Sequence, residues 1–185
     1  MVGLKKQNMN VIRAITLAAM LVSATAPAVA APQRTEAQAV IVTPLSFFKV
    51  DDLIFGRILP SGIAGTVTVD PSGVRTKTGG VTLFNGGGEQ PSRFAGRGAP
   101  GQVVAISLTS APNRLTRVGG TQTMALSTFV IGSTPTVVLT GTARNFRINN
   151  TSGIFNFPIG ATLDVGANQV PGNYAGTFVI TLNYQ

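Results

Sequence analysis

The chain has 185 residues, with 14 lysines and arginines against six acids, a formal charge of +8, and neither histidine nor cysteine. Those two absences exclude Ser-His-Asp and Cys-His nucleophile systems, the usual zinc and transition-metal ligand sets, and any disulfide framework. Beyond the first 30 residues the basic side chains are scattered from Arg34 to Arg147 with no run of five or six, which argues against nucleic acid as a partner.

In chain order, residues 1–30 read as a secretory signal peptide. Lys5, Lys6 and Arg13 make a positive leading region, Ala14 to Ala26 a short apolar stretch, and Ala28-Val29-Ala30 a small-x-small cleavage site. The apolar stretch is too short for a membrane-crossing helix, which needs about 20 residues. Twin arginines are absent and no cysteine follows the cleavage site, so the expected route is general secretion without a lipid anchor. The mature chain, from Ala31 on, has no stretch long and apolar enough to span a membrane as a helix.

Residues 31–43 form an N-terminal arm that starts polar and ends in Ala39-Val40-Ile41-Val42-Thr43. Pro44 cannot donate to a strand ladder and so separates this arm from residues 44–185, the expected domain. An unpaired, β-prone AVIV segment seeks an edge to join, on its own domain or on a neighbour. Ala39, Val40, Ile41 and Val42 are therefore the candidates for strand donation.

Within the domain the pattern has period two. In GTVTVD, Val67 and Val69 alternate with Thr66 and Thr68, and Asp70-Pro71-Ser72-Gly73 then makes a turn. Strands are expected over Gln102–Leu108, Gln122–Phe129, Thr136–Ala143 and Ala161–Gly166. Gly96 to Gly101, GRGAPG, has dinucleotide-fingerprint spacing, but no helix follows it, so it reads as a turn between strands. Asn85 to Gly88, NGGG, lacks the Lys-Ser/Thr of a phosphate loop and reads the same way. The last strand is expected to carry Tyr174, Gly176, Phe178, Ile180, Leu182 and Tyr184 on its core face and to lie tied into the middle of a sheet. Short β-branched segments punctuated by turns, with no sustained helical period, predict an all-β antiparallel sandwich or barrel.

Chemistry is sparse. Beyond residue 30 the acids are Glu36, Asp51, Asp52, Asp70, Glu89 and Asp164. Asp70 falls in a turn, Glu89 follows a glycine run, and Asp51 and Asp52 would point to opposite faces of a strand, so no carboxylate pair suited to glycoside hydrolysis is expected. No alternating acid run suggests a calcium loop. Tryptophan is absent and both tyrosines fall on the predicted core face, which leaves no obvious sugar-stacking platform. The reading is of a protein that is not an enzyme and has no catalytic residue, metal or cofactor.

PLSFFKVDDLIFGRI, AGTVTVDPSGVRTKTGGVTLFNGG and ATLDVGANQVPGNYAGTFVITLNYQ together resemble an uncharacterised family of small, glycine-rich secreted proteins of Gram-negative bacteria, known only as a domain of unknown function. DLIFGRI, the Val/Thr strands and a last strand ending at Tyr184 are more distantly similar to fimbrial and spore-coat-type subunits of the chaperone–usher route. That resemblance implies an immunoglobulin-like sandwich that lacks a strand and receives one from a neighbour. The present chain departs from it in having no disulfide and a shorter alternating arm.

The expectation is an exported structural or adhesive subunit of a surface fibre or coat, in the periplasm or at the cell surface. It would assemble with neighbouring subunits by strand addition, with a periplasmic chaperone as transit partner. Tyr174, Phe178, Ile180, Leu182 and Tyr184 of the last strand would form core or groove. The alternative is a self-contained monomeric sandwich that binds a ligand, with AVIVT paired inside its own sheet.

Overall fold

A computed structural model describes residues 36–109 and 113–185. The signal-peptide reading of residues 1–30 and the first residues of the arm lie outside them. The chain divides into two units, Met1–Ala39 and Val40–Gln185; Glu36 to Ala39 have no regular structure, and the second unit carries the fold.

Among the described residues fourteen strands follow in order: β1 (Ser46–Asp51), β2 (Arg57–Leu59), β3 (Gly65–Val69), β4 (Arg75–Gly79), β5 (Thr82–Phe84), β6 (Ser92–Arg97), β7 (Val103–Leu108), β8 (Arg114–Arg117), β9 (Thr123–Ile131), β10 (Val137–Val138), β11 (Arg144–Arg147), β12 (Ile154–Val165), β13 (Tyr174–Ala175) and β14 (Ile180–Tyr184). Among the described residues there is no helix, and every strand pairing is antiparallel. The expected all-β antiparallel sandwich is what the chain forms.

The large sheet runs β1-β6-β12-β9-β8-β13, with β10 added to β9 and the β3–β4 hairpin added to β12. Its spine is β12. On one side Ile154–Ile159 pair with β6 and Ala161–Val165 with β3; on the other, Ile159–Asp164 pair with β9. A smaller sheet, β11-β7-β14, and a two-stranded ribbon, β2-β5, complete the domain. Alternation places Val67, Val69, Ile159 and Leu163 of the large sheet in one core with Val104, Ile106, Ile180 and Leu182 of the small one. Side-chain period two sends one set inward from each sheet.

The β3–β4 turn forms where Asp-Pro-Ser-Gly predicts it. Asp70 Oδ1 accepts from the Ser72 amide at 2.8 Å, the Ser72 hydroxyl at 2.6 Å and the Val74 amide at 2.9 Å, and Gly73 takes φ +92°, a conformation costly for any other residue. Partial burial pushes the Asp70 carboxyl up, but the Ser72 hydroxyl and the surrounding amides outweigh it and hold the group below the ordinary aspartate value. GRGAPG is the end of β6 and the turn into β7, and NGGG joins β5 to β6.

Three strand expectations need correction. Thr136–Ala143 is not a strand throughout; only Val137–Val138 pair, with β9. The strand expected over Ala161–Gly166 begins at Ile154 and passes through Pro158 and Gly160. Proline is tolerated there because the Pro158 carbonyl accepts from Gly132, just beyond the end of β9, and the amide it lacks would point to that same unladdered side. The last strand is two pieces rather than one, and lies at an edge rather than mid-sheet. β13 pairs with β8 in the large sheet, β14 pairs with β7 in the small one, and residues 176–179 cross between them. At the crossing, a Cβ on Gly176 would run into the Arg114 carbonyl oxygen, so only glycine passes.

Candidate functional site

The chemically able side chains are dispersed. Asp51 faces Arg93 at 3.6 Å, Asp52 pairs with Lys49, and Asp164 accepts from the Ser127 hydroxyl at 3.3 Å. Glu89 meets Arg75 at 3.1 Å, and that guanidinium, 5% exposed, also donates to the carbonyls of Phe55 at 3.0 Å and Phe84 at 2.7 Å. This arginine ties β4 to one end of the β2–β5 ribbon, where β2 begins and β5 finishes. Among the described residues no three of His, Cys, Asp and Glu gather as a metal site would require. No helix among them is long and apolar enough to cross a membrane.

The prominent concavity is an apolar groove of about 870 Å³. One wall is the segment from Leu53 to Pro60, which includes β2; the other runs from Gln169 to Ile180, which includes β13 and the start of β14. Between them the floor is sheet: Phe94 of β6, Met124 and Leu126 of β9, and Leu163 and Val165 of β12. Both walls contain strands paired on one side only, β2 with β5, β13 with β8 and β14 with β7.

The register shows which backbone groups are spare. In β14 the amide of Thr109 donates to Val179 at 2.8 Å and that of Gln185 to Val103 at 3.1 Å, so residues 179, 181, 183 and 185 turn their peptide groups to β7. Ile180, Leu182 and Tyr184 therefore turn theirs the other way, where β14 has no neighbouring strand among the described residues. In β13 the Asn173 carbonyl accepts from Val118 at 2.8 Å, which leaves the Tyr174 peptide groups facing away from β8. The C-terminal segment thus buries Ile180 and Leu182 in the core while its backbone remains open along one edge.

The residues singled out from sequence divide between the two ends. Tyr174, Phe178 and Ile180 line the groove. Leu182 is buried in the core beyond it. Phe178 also packs on Phe129, ring centroids 5.0 Å apart. Tyr184 lies at the far end of β14, where its hydroxyl accepts from the Ala99 amide at 2.6 Å and donates to the Thr43 carbonyl at 2.7 Å. Ala39 has no regular structure, and Val40, Ile41 and Val42 form no strand; Val40 is 88% exposed and Ile41 97%. Among the described residues AVIVT joins no strand.

Sequence reasoning missed the second wall. Nothing in Leu53 to Pro60 signals that it faces the C-terminal segment across a gap, because that placement depends on pairings between β2 and β5 and between Ile54 and Gln90.

No curated protein matches this sequence. Residues 45–184, nearly the whole of the second unit, match the family described as domain of unknown function DUF4402, and the chain belongs to that family.

Proposed function

We propose that this protein is an exported structural or adhesive subunit of a bacterial surface fibre or coat, and that it assembles by strand addition. The observation that carries the reading is the arm. Val40-Ile41-Val42 is β-branched throughout and stands exposed and unpaired beside a well-paired domain. Such a segment gains by joining a strand edge, where backbone hydrogen bonds supply affinity and alternate side chains set register. Residues 1–30 serve as the export signal in this reading, and a periplasmic chaperone shields the open edge in transit. The distant likeness to fimbrial and spore-coat-type subunits points the same way.

The test is a gel of native surface extract in SDS, with and without boiling, probed for this protein. Polymers clasped by donated strands unfold slowly, so a ladder that collapses to one band on boiling is the expected result. A single monomer band in both lanes, from cells that express the protein well, would sink the proposal.

A further inference from the structure

We infer that the groove between Leu53–Pro60 and Gln169–Ile180 is the acceptor site for the Val40–Val42 arm of a second copy of this chain; the inference rests on the strand-addition reading above. Three observations carry it. The groove is floored by apolar side chains of the large sheet, among them Leu126, Leu163 and Val165, which suits alternate residues of an apolar strand. Its walls hold strands paired on one side only, and the C-terminal wall turns the peptide groups of Tyr174 and Ile180 away from the partners it already has. A compact apolar ligand would use the floor and leave those peptide groups without partners; an extended chain uses both.

The third observation decides between the arm of the same chain and that of another. Thr43 is held by the Tyr184 hydroxyl, at the end of β14 remote from the groove. From Ile180 to Tyr184 is four residue steps, about 13 Å at ~3.3 Å per residue. Along β1 the groove begins at Lys49, three steps or about 10 Å beyond Ser46. Val40 is three residues from Thr43 and reaches at most about 11 Å from it. The apolar part of the arm does not lie along its own groove, which extends from Ile180 back through Gly172: Val40 and Ile41 stand exposed and neither lines it. A neighbour's arm has no such constraint, and arm-to-groove contacts between successive copies are head-to-tail and open-ended.

The chain has no cysteine, so engineered thiols report without background. Three single variants, Ile41→Cys on the arm, Thr177→Cys on the groove wall and Ser152→Cys on a remote exposed turn, are each checked for the boil-sensitive ladder of the parent. Ile41→Cys protein is then refolded together with each of the others and treated with a short bis-maleimide. The expected result is a covalent dimer of Ile41→Cys with Thr177→Cys, at least about ten-fold above that with Ser152→Cys, because docking raises the local thiol concentration. The double variant Ile41→Cys/Thr177→Cys, kept dilute, should not close on itself. An intramolecular cross-link overturns the inference in favour of a self-filled groove. A ladder without the Thr177 cross-link overturns it while leaving strand addition at another edge standing. If the protein instead stays monomeric and takes up an apolar dye such as anilinonaphthalene sulfonate in the groove, both the inference and the strand-addition reading fall.

Discussion

β12 and β14 both bury aliphatic side chains in the same core, yet they are finished to different degrees. β12 is hydrogen-bonded along both edges, with β6 and then β3 on one side and β9 on the other. Among the described residues β14 is bonded to β7 alone, and Ile180 and Leu182, each 8% exposed over the whole residue, carry peptide groups with no strand beside them. Side-chain burial and backbone pairing are thus separate matters in a sheet. A strand can be packed well enough to stay in place and still present a template.

Amide hydrogen exchange should widen that contrast furthest. The β12 amides between Ala161 and Val165 should exchange only through global opening, at a cost of about 5–15 kcal/mol, whereas the unpaired amides of Ile180, Leu182 and Tyr184 should exchange faster, through local opening of the edge. In boil-resistant assemblies the Ile180 amide should become protected, and unchanged exchange there would break the link between the open edge and assembly. Next in size is Leu163→Ala. Leu163 is 1% exposed beneath both sheets, and its truncation should cost about 2–5 kcal/mol in urea unfolding.

Tyr184→Phe should cost less, about 1–2 kcal/mol, because it strips the Ala99 amide and the Thr43 carbonyl of their partner without opening a cavity. A change within error would mean that water replaces the hydroxyl. Smallest is the pH term from Asp70. Its carboxyl is held below the ordinary value when folded, so its contribution is fully present above the unfolded value and is lost as pH falls through the folded one. Asp70→Asn should therefore lower stability slightly near neutrality, and the difference from the parent should close only in strong acid, as pH falls below the ordinary aspartate value and through the lower folded one. A difference that does not vary with pH would show that the turn depends on shape rather than charge.

Much of the sandwich could be read from the chain. GTVTVD, QVVAISL and QTMALSTF each became a strand where expected; GTVTVD alternates most cleanly, whereas in QVVAISL Val104, Ala105 and Ile106 are buried in succession. What failed was long-range. Pro158 and Gly160 hid the first half of β12, since nothing local reveals that the ladder on one side has already stopped at Ile131. The last strand failed oppositely: its alternation runs unbroken through Phe178, but a change of partner between β13 and β14 leaves no mark on alternation. The arm reads as strand-prone and the C-terminal segment as core or groove. The facing wall does not show, because Leu53–Pro60 owes its position to β5 and Gln90, each some 25 or more residues away in sequence.

The phenolic clasp at Tyr184 has a consequence for load. If the arm is gripped and pulled, tension enters the domain at Thr43, where the Tyr184 hydroxyl diverts part of it into β14 before it reaches β1. β14 lies along β7, so force applied near its end strains many rungs together instead of opening them singly. One hydroxyl near the carboxyl end thereby makes the two extremities of the domain a shared mechanical anchor, spreading tension between an edge strand of each sheet.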